Sequence, residues 1–150
     1  MAGFLIGKLS LAREEHVKLS IVSHTTIPEP EHSHITHEMI TIIGNLIDNS
    51  IDSLVVSAIK QKTIDVHLKY TNGTLTIDIV DSGLGLKSEL AHQIFEKGYS
   101  SKGEHRGYGL YLVQQSVEKL NGDINIASNV EGNVTFSVVI SYSEKEDHKW

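Results

Sequence analysis

Several features that would point to a particular class of protein are missing from this 150-residue sequence. It has no cysteine, so it can form neither disulfides nor thiolate metal sites, and a reducing compartment suits it. No apolar run reaches the ~20 residues that a membrane-spanning helix needs, and the first residues lack the pattern of a secretory signal. Basic residues are outnumbered, and the net charge of −6 argues against general nucleic-acid binding.

What remains is typical of one globular domain over residues 1–150. Hydrophobic residues make up 39% of the chain and charged residues 21%, which is ordinary for a folded protein. Nine histidines raise the question of a zinc site, but His32, His34 and His37 lie in a polar stretch without a convincing set of partner ligands. Residues 142–150 are mostly charged, and we expect this tail to be frayed.

The longest helical pattern covers about residues 35–59. Asn45, Asn49 and Asp52 form a narrow stripe away from its apolar face, with Glu38 above them. Asparagine is a mediocre helix former, whereas its carbonyl oxygen can bind Mg²⁺ and its amide can donate to a phosphate. A tolerated polar surface would give the same pattern. The apolar face consists of Met39, Ile43, Leu46, Ile47, Ile51, Leu54 and Ala58.

The other patterns predict an α+β two-layer sandwich, in which a mixed, mostly antiparallel sheet carries three main helices on one face. Asn72-Gly73 supplies the two positive-φ positions of a tight hairpin turn, and Asn121-Gly122 ends the last helix. Both prolines lie in a predicted loop over residues 23–34. Further helices are predicted over residues 3–15 and 107–120, and strands over 17–22, 63–70, 74–80, 124–128 and 134–141.

Two glycine-rich turns stand beside predicted elements. Asp81-Ser82-Gly83-Leu84-Gly85 follows a strand, and its carboxylate could accept a hydrogen bond from the amine of adenine while the glycines let a ligand come close. A turn without a ligand is the alternative. Arg106-Gly107-Tyr108-Gly109-Leu110 opens the last helix, where unpaired N–H groups and the helix dipole favour an anion. It matches neither a Walker loop nor a Rossmann fingerprint.

The stretch between Gly85 and Gly107 lacks a strong core pattern and is rich in hydroxyl and basic groups. Loops of this length are usually functional or disordered. A lid over a ligand is one interpretation, and a solvated loop is the other. In a lid, the natural phosphate partners are Ser100, Ser101, Lys102 and Arg106.

Five segments in this order resemble the motifs of one family. NLIDN (45–49), DSGLG (81–85), IFEKGYSSK (94–102), GYGL (107–110) and GNVTF (132–136) are similar to the N box, first glycine box, F box, second glycine box and last Thr-containing strand of the Bergerat-type ATP-binding fold. Gyrase, Hsp90, histidine kinases and MutL share this fold. The F box and the Asn-x-x-x-Asn pattern resemble the catalytic domain of a sensor histidine kinase, closest to the citrate, malate and fumarate sensors.

The resemblance implies ATP and Mg²⁺ as cofactors and assigns residues to them. Asn49 would coordinate Mg²⁺, Asn45 would lie against the phosphates or the metal, and Asp81 would accept the adenine amine. Asn45, Asn49 and Lys102 are the implied catalytic residues. The other implied contacts are Gly83 and Gly85 at the base, Ser100, Ser101, Lys102 and Arg106 from the lid, Gly107, Tyr108, Gly109 and Leu110 at the helix start, and Thr135 beside Asp81.

The implied activity is transfer of the γ-phosphoryl group of ATP to a histidine on a separate dimerisation domain. That domain and, downstream, a response regulator are the expected partners in two-component signalling. No histidine here has the setting of a dimerisation helix, so we expect the cytoplasmic catalytic portion of a longer, membrane-anchored kinase. The portion itself is expected to contact neither membrane nor nucleic acid.

Three alternatives stay open at this point. Where the hydrolytic branches of the family carry a glutamate as general base, this chain has Asn45, which disfavours an ATPase. A nucleotide-binding module without transferase output and a serine kinase of the anti-sigma-factor kind are the other two. The chain also departs from the usual kinase pattern, because Asp52-Ser53 replaces a lysine-containing pair and Tyr111 replaces a glycine.

Overall fold

The computed structural model describes residues 2–83, 109–128 and 133–145, and it contains three helices and one five-stranded sheet in these ranges. In chain order the elements are α1 (Ala2–Glu14), β1 (Lys18–Ser23), α2 (Ser33–Val55), β2 (Thr63–Thr71), β3 (Thr74–Asp81), α3 (Gly109–Lys119), β4 (Asp123–Ser128) and β5 (Val134–Ser141). Within the described ranges, no helix combines the length and apolar character that crossing a membrane requires.

The sheet has the strand order β1-β2-β3-β5-β4. Strand β1 runs parallel to β2, and the other three pairings are antiparallel. Parallel neighbours need a long crossover, which the loop after β1 and helix α2 supply. The β2–β3 hairpin turns at Asn72 and Gly73, whose φ angles are 46° and 80°, as the sequence predicts for a tight turn. The predicted mixed, mostly antiparallel sheet is confirmed.

Alternation along the strands gives the sheet one apolar face, and α2 covers it together with α3. Helix α2 is the centre of this layer because its buried face is the most extensive in the described chain. The largest fully buried side chains come from α2 and from the facing strands: Ile42, Ile43, Leu46, Ile47 and Leu54 with Ile64, Val66, Leu75, Ile77, Ile79, Phe136 and Ile140.

Helix α1 packs against both β1 and α2, and it makes one close contact with α2. Gly44 lacks a side chain there, and a Cβ atom at that position would lie 2.9 Å from the ring of Phe4. One turn further along each helix, Lys8 Nζ forms an ion pair with Asp48 Oδ1 at 2.7 Å. Ala12 is fully buried and joins α1 to the core. The predicted short first helix is therefore confirmed and is attached by packing.

One predicted helix boundary is wrong. Helix α2 ends at Val55 and not near Ile59, because Ala58 has no core to cover and is exposed. The β-branched Val55 and Val56 also favour leaving the helix, and Ser57 Oγ donates to the Leu54 carbonyl at 2.7 Å.

The expectation of a frayed tail over residues 142–150 is also wrong for its first four residues; the rest of the tail lies outside the described residues. Tyr142 is 3% exposed, and its backbone N–H donates to the Gly73 carbonyl at 2.8 Å. Glu31 N–H donates to the Ser143 carbonyl at 2.7 Å, and Lys145 N–H donates to the Glu29 carbonyl at 2.8 Å. The tail thus forms a short antiparallel pairing with the loop that leads into α2.

Candidate active site

The polar stripe of α2 begins the candidate site, where α3 starts against it. Asn45 Nδ2 donates to the Thr41 carbonyl at 2.8 Å, which fixes the orientation of the side-chain amide. Its carbonyl oxygen lies 3.3 Å from the point where a Cβ atom on Gly109 would stand. A side chain at position 109 would make a tight contact with Asn45, and Asn45 presents an oxygen acceptor at the helix N-terminus.

Glu38 has a different setting from the one its place in the stripe suggests. It is 8% exposed, and its carboxylate lies 3.7 Å from Lys119 Nζ at the far end of α3. Since Gly109 lies near Asn45 and Lys119 near Glu38, the two helices run antiparallel. Part of the stripe therefore forms the contact between α2 and α3. Asn49 and Asp52, further along the stripe, are half-buried.

Asp81 ends β3 and directs its carboxylate toward α2. Ser50 Oγ donates to one carboxylate oxygen at 3.0 Å, and the Gly83 N–H donates to the other at 2.8 Å. Asp81 is 5% exposed and Ser50 is fully buried. A Cβ atom on Gly83 would lie 2.7 Å from the carboxylate, so a side chain at this position would displace the Asp81 carboxylate. Both carboxylate oxygens of Asp81 therefore act as hydrogen-bond acceptors here.

Ser50 is the site residue that the sequence reasoning missed. A signal for it exists: it follows Leu46 by four residues and precedes Leu54 by four, which puts a hydroxyl on the apolar face of α2. Buried hydroxyls need a partner, so a partner across the core could have been expected. The hydrogen bond also places the Asp81 carboxylate beside the turn of α2 that carries Asn49.

Thr135 does not lie beside the Asp81 side chain. In the β3–β5 pairing, Thr135 is opposite Val80, and Val134 is opposite Asp81. Because side chains alternate across a strand, Thr135 is on the face of the sheet away from the helices. There it lines an open groove of about 540 Å³ together with His24, His67, Lys69, Thr76, Asp78, Val80 and Ser137.

Of the remaining predicted site residues, one lies among the residues that the structure describes and the others do not. Leu110 is partly buried and packs against the core at the start of α3. Among the residues that the structure describes, no three His, Cys, Asp or Glu side chains lie close enough to hold a metal ion together. Outside the described residues lie Gly85, Ser100, Ser101, Lys102, Arg106, Gly107 and Tyr108.

Solved structures with the same fold include the catalytic domain of the histidine kinase ThkA. Full-length ShkA in complex with AMPPNP superposes with a TM-score of 0.78 at 15% identity, over 97% of this chain and 30% of that one. The nucleotide-free catalytic domain of ThkA gives 0.77 at 16% identity, over 95% of this chain and 93% of that one. At such low identity these matches establish the fold, and they agree with the predicted sandwich.

Curated relatives with higher identity are sensor kinases for citrate and dicarboxylates. The sensor protein CitS of Bacillus subtilis is 39% identical over 91% of this chain, and a probable C4-dicarboxylate sensor kinase of Halalkalibacterium halodurans is 34% identical over 93%. The sensor histidine kinase DcuS of Escherichia coli is 37% identical over 85%. The chain spans 25%, 26% and 23% of the length of these three proteins, respectively.

A family model described as histidine kinase-, DNA gyrase B- and HSP90-like ATPase matches residues 34–144. The match begins in α2, runs through both glycine-rich turns and ends beyond β5, so it contains every predicted site residue. The resemblance drawn from the five motifs is thereby confirmed. The chain belongs to the histidine kinase-, gyrase B- and HSP90-like ATPase family, and its sequence matches the ATP-binding domain of the citrate and dicarboxylate sensor kinase subfamily.

Proposed function

We propose that this domain binds ATP with Mg²⁺ and transfers the γ-phosphoryl group to a histidine on a separate phosphoacceptor domain, which in turn serves a response regulator. The observation that carries the proposal is the buried Asp81 carboxylate, held by Ser50 and Gly83 at the end of a strand. It lies next to the helical turn of Asn49. An acceptor for a base and polar groups for phosphates thus occur on neighbouring elements.

Adenine is the base that this acceptor suits. A carboxylate oxygen accepts a hydrogen bond from the 6-amino group of adenine. Guanine has an oxygen at the same position, which a carboxylate repels. Gly83 keeps the adjoining backbone free of a side chain, so the ring can lie close to it. Val134, opposite Asp81 on β5, is 6% exposed and supplies apolar surface on the same face of the sheet.

The phosphates would extend from Asp81 along α2 toward the start of α3. The first N–H groups of a helix have no partner within it, and the dipole there favours negative charge. Gly109 begins α3 beside Asn45, so this helix start belongs to the same region. Lys102, Ser100, Ser101, Arg106, Gly107 and Tyr108 remain proposed phosphate partners, and Gly85 remains a proposed contact of the base.

Asn49 and Asn45 fit Mg²⁺ as amide-oxygen ligands. Mg²⁺ keeps several water ligands and commonly takes one or two protein oxygens together with substrate phosphates. When bound, Mg²⁺ would neutralise charge on the β- and γ-phosphates.

The chemistry then depends on which nucleophile reaches the γ-phosphorus. An imidazole nitrogen of the acceptor forms the new P–N bond as the bond to the β–γ bridging oxygen breaks, and ADP leaves with that electron pair. Asn45 cannot take a proton from water at neutral pH, so water is poorly activated. Phosphoryl transfer needs mainly positioning and charge neutralisation, which a domain without a base provides.

Titration calorimetry and a transfer assay test the proposal in sequence. We expect ATP to bind more tightly with Mg²⁺ than without it, and GTP to bind at least about tenfold more weakly than ATP. The domain is then mixed with γ-labelled ATP and the phosphoacceptor domain of its own kinase. Label that is acid-labile and confined to the acceptor supports the proposal.

Three other results of the transfer assay would contradict it. Acid-stable label would indicate a serine kinase, and rapid phosphate release by the domain alone would indicate an ATPase. Tight ATP binding with no label on the acceptor would indicate a nucleotide-binding module without transferase activity. An acceptor domain whose histidine is replaced by alanine serves as the control for label on other residues.

A further inference from the structure

Ser50 and Asp81 form a buried hydrogen bond between the central helix and the end of a strand. Their side-chain oxygens are 3.0 Å apart although the residues are 31 positions apart in sequence. Ser50 is completely buried and Asp81 is 5% exposed. A helical serine commonly donates to the carbonyl four residues earlier, but this one donates to Asp81. The hydroxyl has a single hydrogen, so this choice of acceptor defines its role.

We propose that Ser50 is a positioning residue that sets the direction in which Asp81 accepts a hydrogen bond, and so determines the preference for a purine with a 6-amino group. The inference rests on the proposed ATP site and assigns to it a residue outside the set that the family motifs imply. Ser50 does not touch the base itself. It acts through the carboxylate.

The geometry gives the reason. Two donors, Ser50 Oγ and Gly83 N–H, bind different oxygens of one carboxylate and together hold both of its side-chain torsions. Loss of the Ser50 donor removes the hydrogen bond that α2 gives to one of these oxygens, so the carboxylate can turn about the oxygen that the Gly83 N–H binds. A hydrogen bond to the amine depends on that direction, because such bonds weaken steeply when misaligned. Contacts that do not involve the 6-amino group do not depend on it.

A comparison of two nucleotides isolates the effect. The probes are ATP and purine riboside triphosphate, which is ATP without the 6-amino group, each with Mg²⁺ and measured by calorimetry. The unmodified protein is expected to prefer ATP by about tenfold, the value of one hydrogen bond to a charged group. Ser50→Ala is expected to weaken ATP binding about three- to tenfold while changing the affinity for the analogue less than about twofold.

Two further variants separate positioning from general damage. Ser116→Ala removes another buried hydroxyl, from α3, and should leave the preference for ATP unchanged. Ser50→Cys keeps nearly the same volume but has a weaker donor. Its ratio of ATP affinity to analogue affinity should lie between those of the unmodified protein and Ser50→Ala. Thermal unfolding without nucleotide shows whether each variant is folded, and Ser50→Cys replaces Ser50→Ala if alanine is not tolerated.

The outcomes distinguish this inference from the proposed function. If the unmodified protein binds ATP and the analogue equally, Asp81 does not recognise the 6-amino group and the role of Ser50 is overturned, whereas the proposed function fails if the protein binds neither nucleotide. If the unmodified protein prefers ATP and the Ser50 variants keep the full preference, only the role of Ser50 is overturned. If the variants lose affinity for ATP and for the analogue equally, Ser50 has only a structural role, and its proposed positioning role is likewise overturned. A reduced preference with unchanged analogue binding supports the inference.

Discussion

At the scale of single residues, the candidate site consists of oxygen acceptors whose directions are set by short contacts. Asn45 is oriented by the Thr41 carbonyl, and Asp81 is oriented by Ser50 and Gly83. Both are fixed before any ligand binds, which lowers the ordering cost of binding. Substitutions that keep the size of these side chains and alter their acceptors therefore test function more sharply than truncations.

Asn49→Asp tests the metal role. The new carboxylate would repel the triphosphate when metal is absent and would be a stronger Mg²⁺ ligand when metal is present. We expect the ratio of ATP affinities with and without Mg²⁺ to rise by about tenfold. Asn125→Asp, at an exposed position on β4, is the matched control and should not alter the ratio. An unchanged ratio in Asn49→Asp would remove Asn49 from the metal site.

Asp81→Asn tests the adenine acceptor. The amide keeps one oxygen, so either Ser50 or the Gly83 N–H loses its acceptor, and the free energy of unfolding should fall by about 1–3 kcal/mol. Affinity for ATP per folded molecule should fall by at least about tenfold. Asp78→Asn, on the opposite face of the same strand, is the control. Normal ATP affinity in folded Asp81→Asn would return Asp81 to a purely structural turn.

Tyr142 predicts how stability depends on alkaline pH. Burial, followed by the neighbouring Tyr70 and Glu29, raises the pKa of Tyr142 above its ordinary value of 10.0. The folded protein thus holds the phenolic proton more tightly than the unfolded chain. This contribution to the free energy of unfolding is complete below pH 10 and is lost as pH rises through the raised pKa.

Tyr142→Phe isolates that contribution. The variant loses the hydrogen bond from the hydroxyl to the Pro28 carbonyl, 2.5 Å long, and should be less stable by about 1 kcal/mol at neutral pH. Between pH 9 and pH 11, roughly the range around an ordinary tyrosine pKa, its free energy of unfolding should decline less steeply than that of the unmodified protein. Urea unfolding at several pH values measures both slopes, and parallel slopes would contradict the assignment.

At the scale of elements, the contact of α1 with α2 depends on one glycine. Gly44→Ala places a methyl group 2.9 Å from the Phe4 ring, so the ring or α1 must shift, and we expect a loss of about 1 kcal/mol. Gly7→Ala, on the same first helix with no atom within 4 Å of its Cβ position, should instead gain about 0.5–1 kcal/mol through helix propensity. The midpoint of thermal unfolding should therefore fall in Gly44→Ala and rise in Gly7→Ala.

A double variant checks the cause. Phe4→Leu replaces the ring with a smaller side chain. Gly44→Ala should therefore cost less stability in the Phe4→Leu protein than in the unmodified protein, because the methyl group and the ring compete for the same space. If the substitutions are additive, the ring and the methyl group do not compete, and the helix contact lies elsewhere.

At the scale of the whole molecule, residues 142–145 connect the end of β5 to the loop before α2. Ending the chain at Ser141 removes buried Tyr142 and the pairing with residues 29–31, and the free energy of unfolding should fall by about 2–4 kcal/mol. Ending it at Lys145 should cost less than about 0.5 kcal/mol, because the pairing is kept. Hydrogen exchange at the Glu31 amide should accelerate only in the shorter chain, and equal protection in both chains would contradict a stabilising role for this pairing.

Local patterns decided most of the fold in advance. The predicted strand 134–141 coincides with β5, and the Asn72-Gly73 turn and the apolar face of α2 lie where their spacing indicates. Periodicity and turn chemistry involve residues a few positions apart, so the sequence carries them directly. The ordered glycine-rich motifs identified the family for the same reason, since each is a short segment.

Contacts across the chain were decided only by the tertiary structure. The face on which Thr135 lies follows from the β3–β5 register, the partner of Ser50 is 31 residues away, and Glu38 is buried because Lys119 and α3 cover it. Tyr142 is anchored by a loop that precedes it by more than a hundred residues. The sequence determined which residues could form the site; packing determined which of them meet, because register and burial depend on partners that no local pattern specifies.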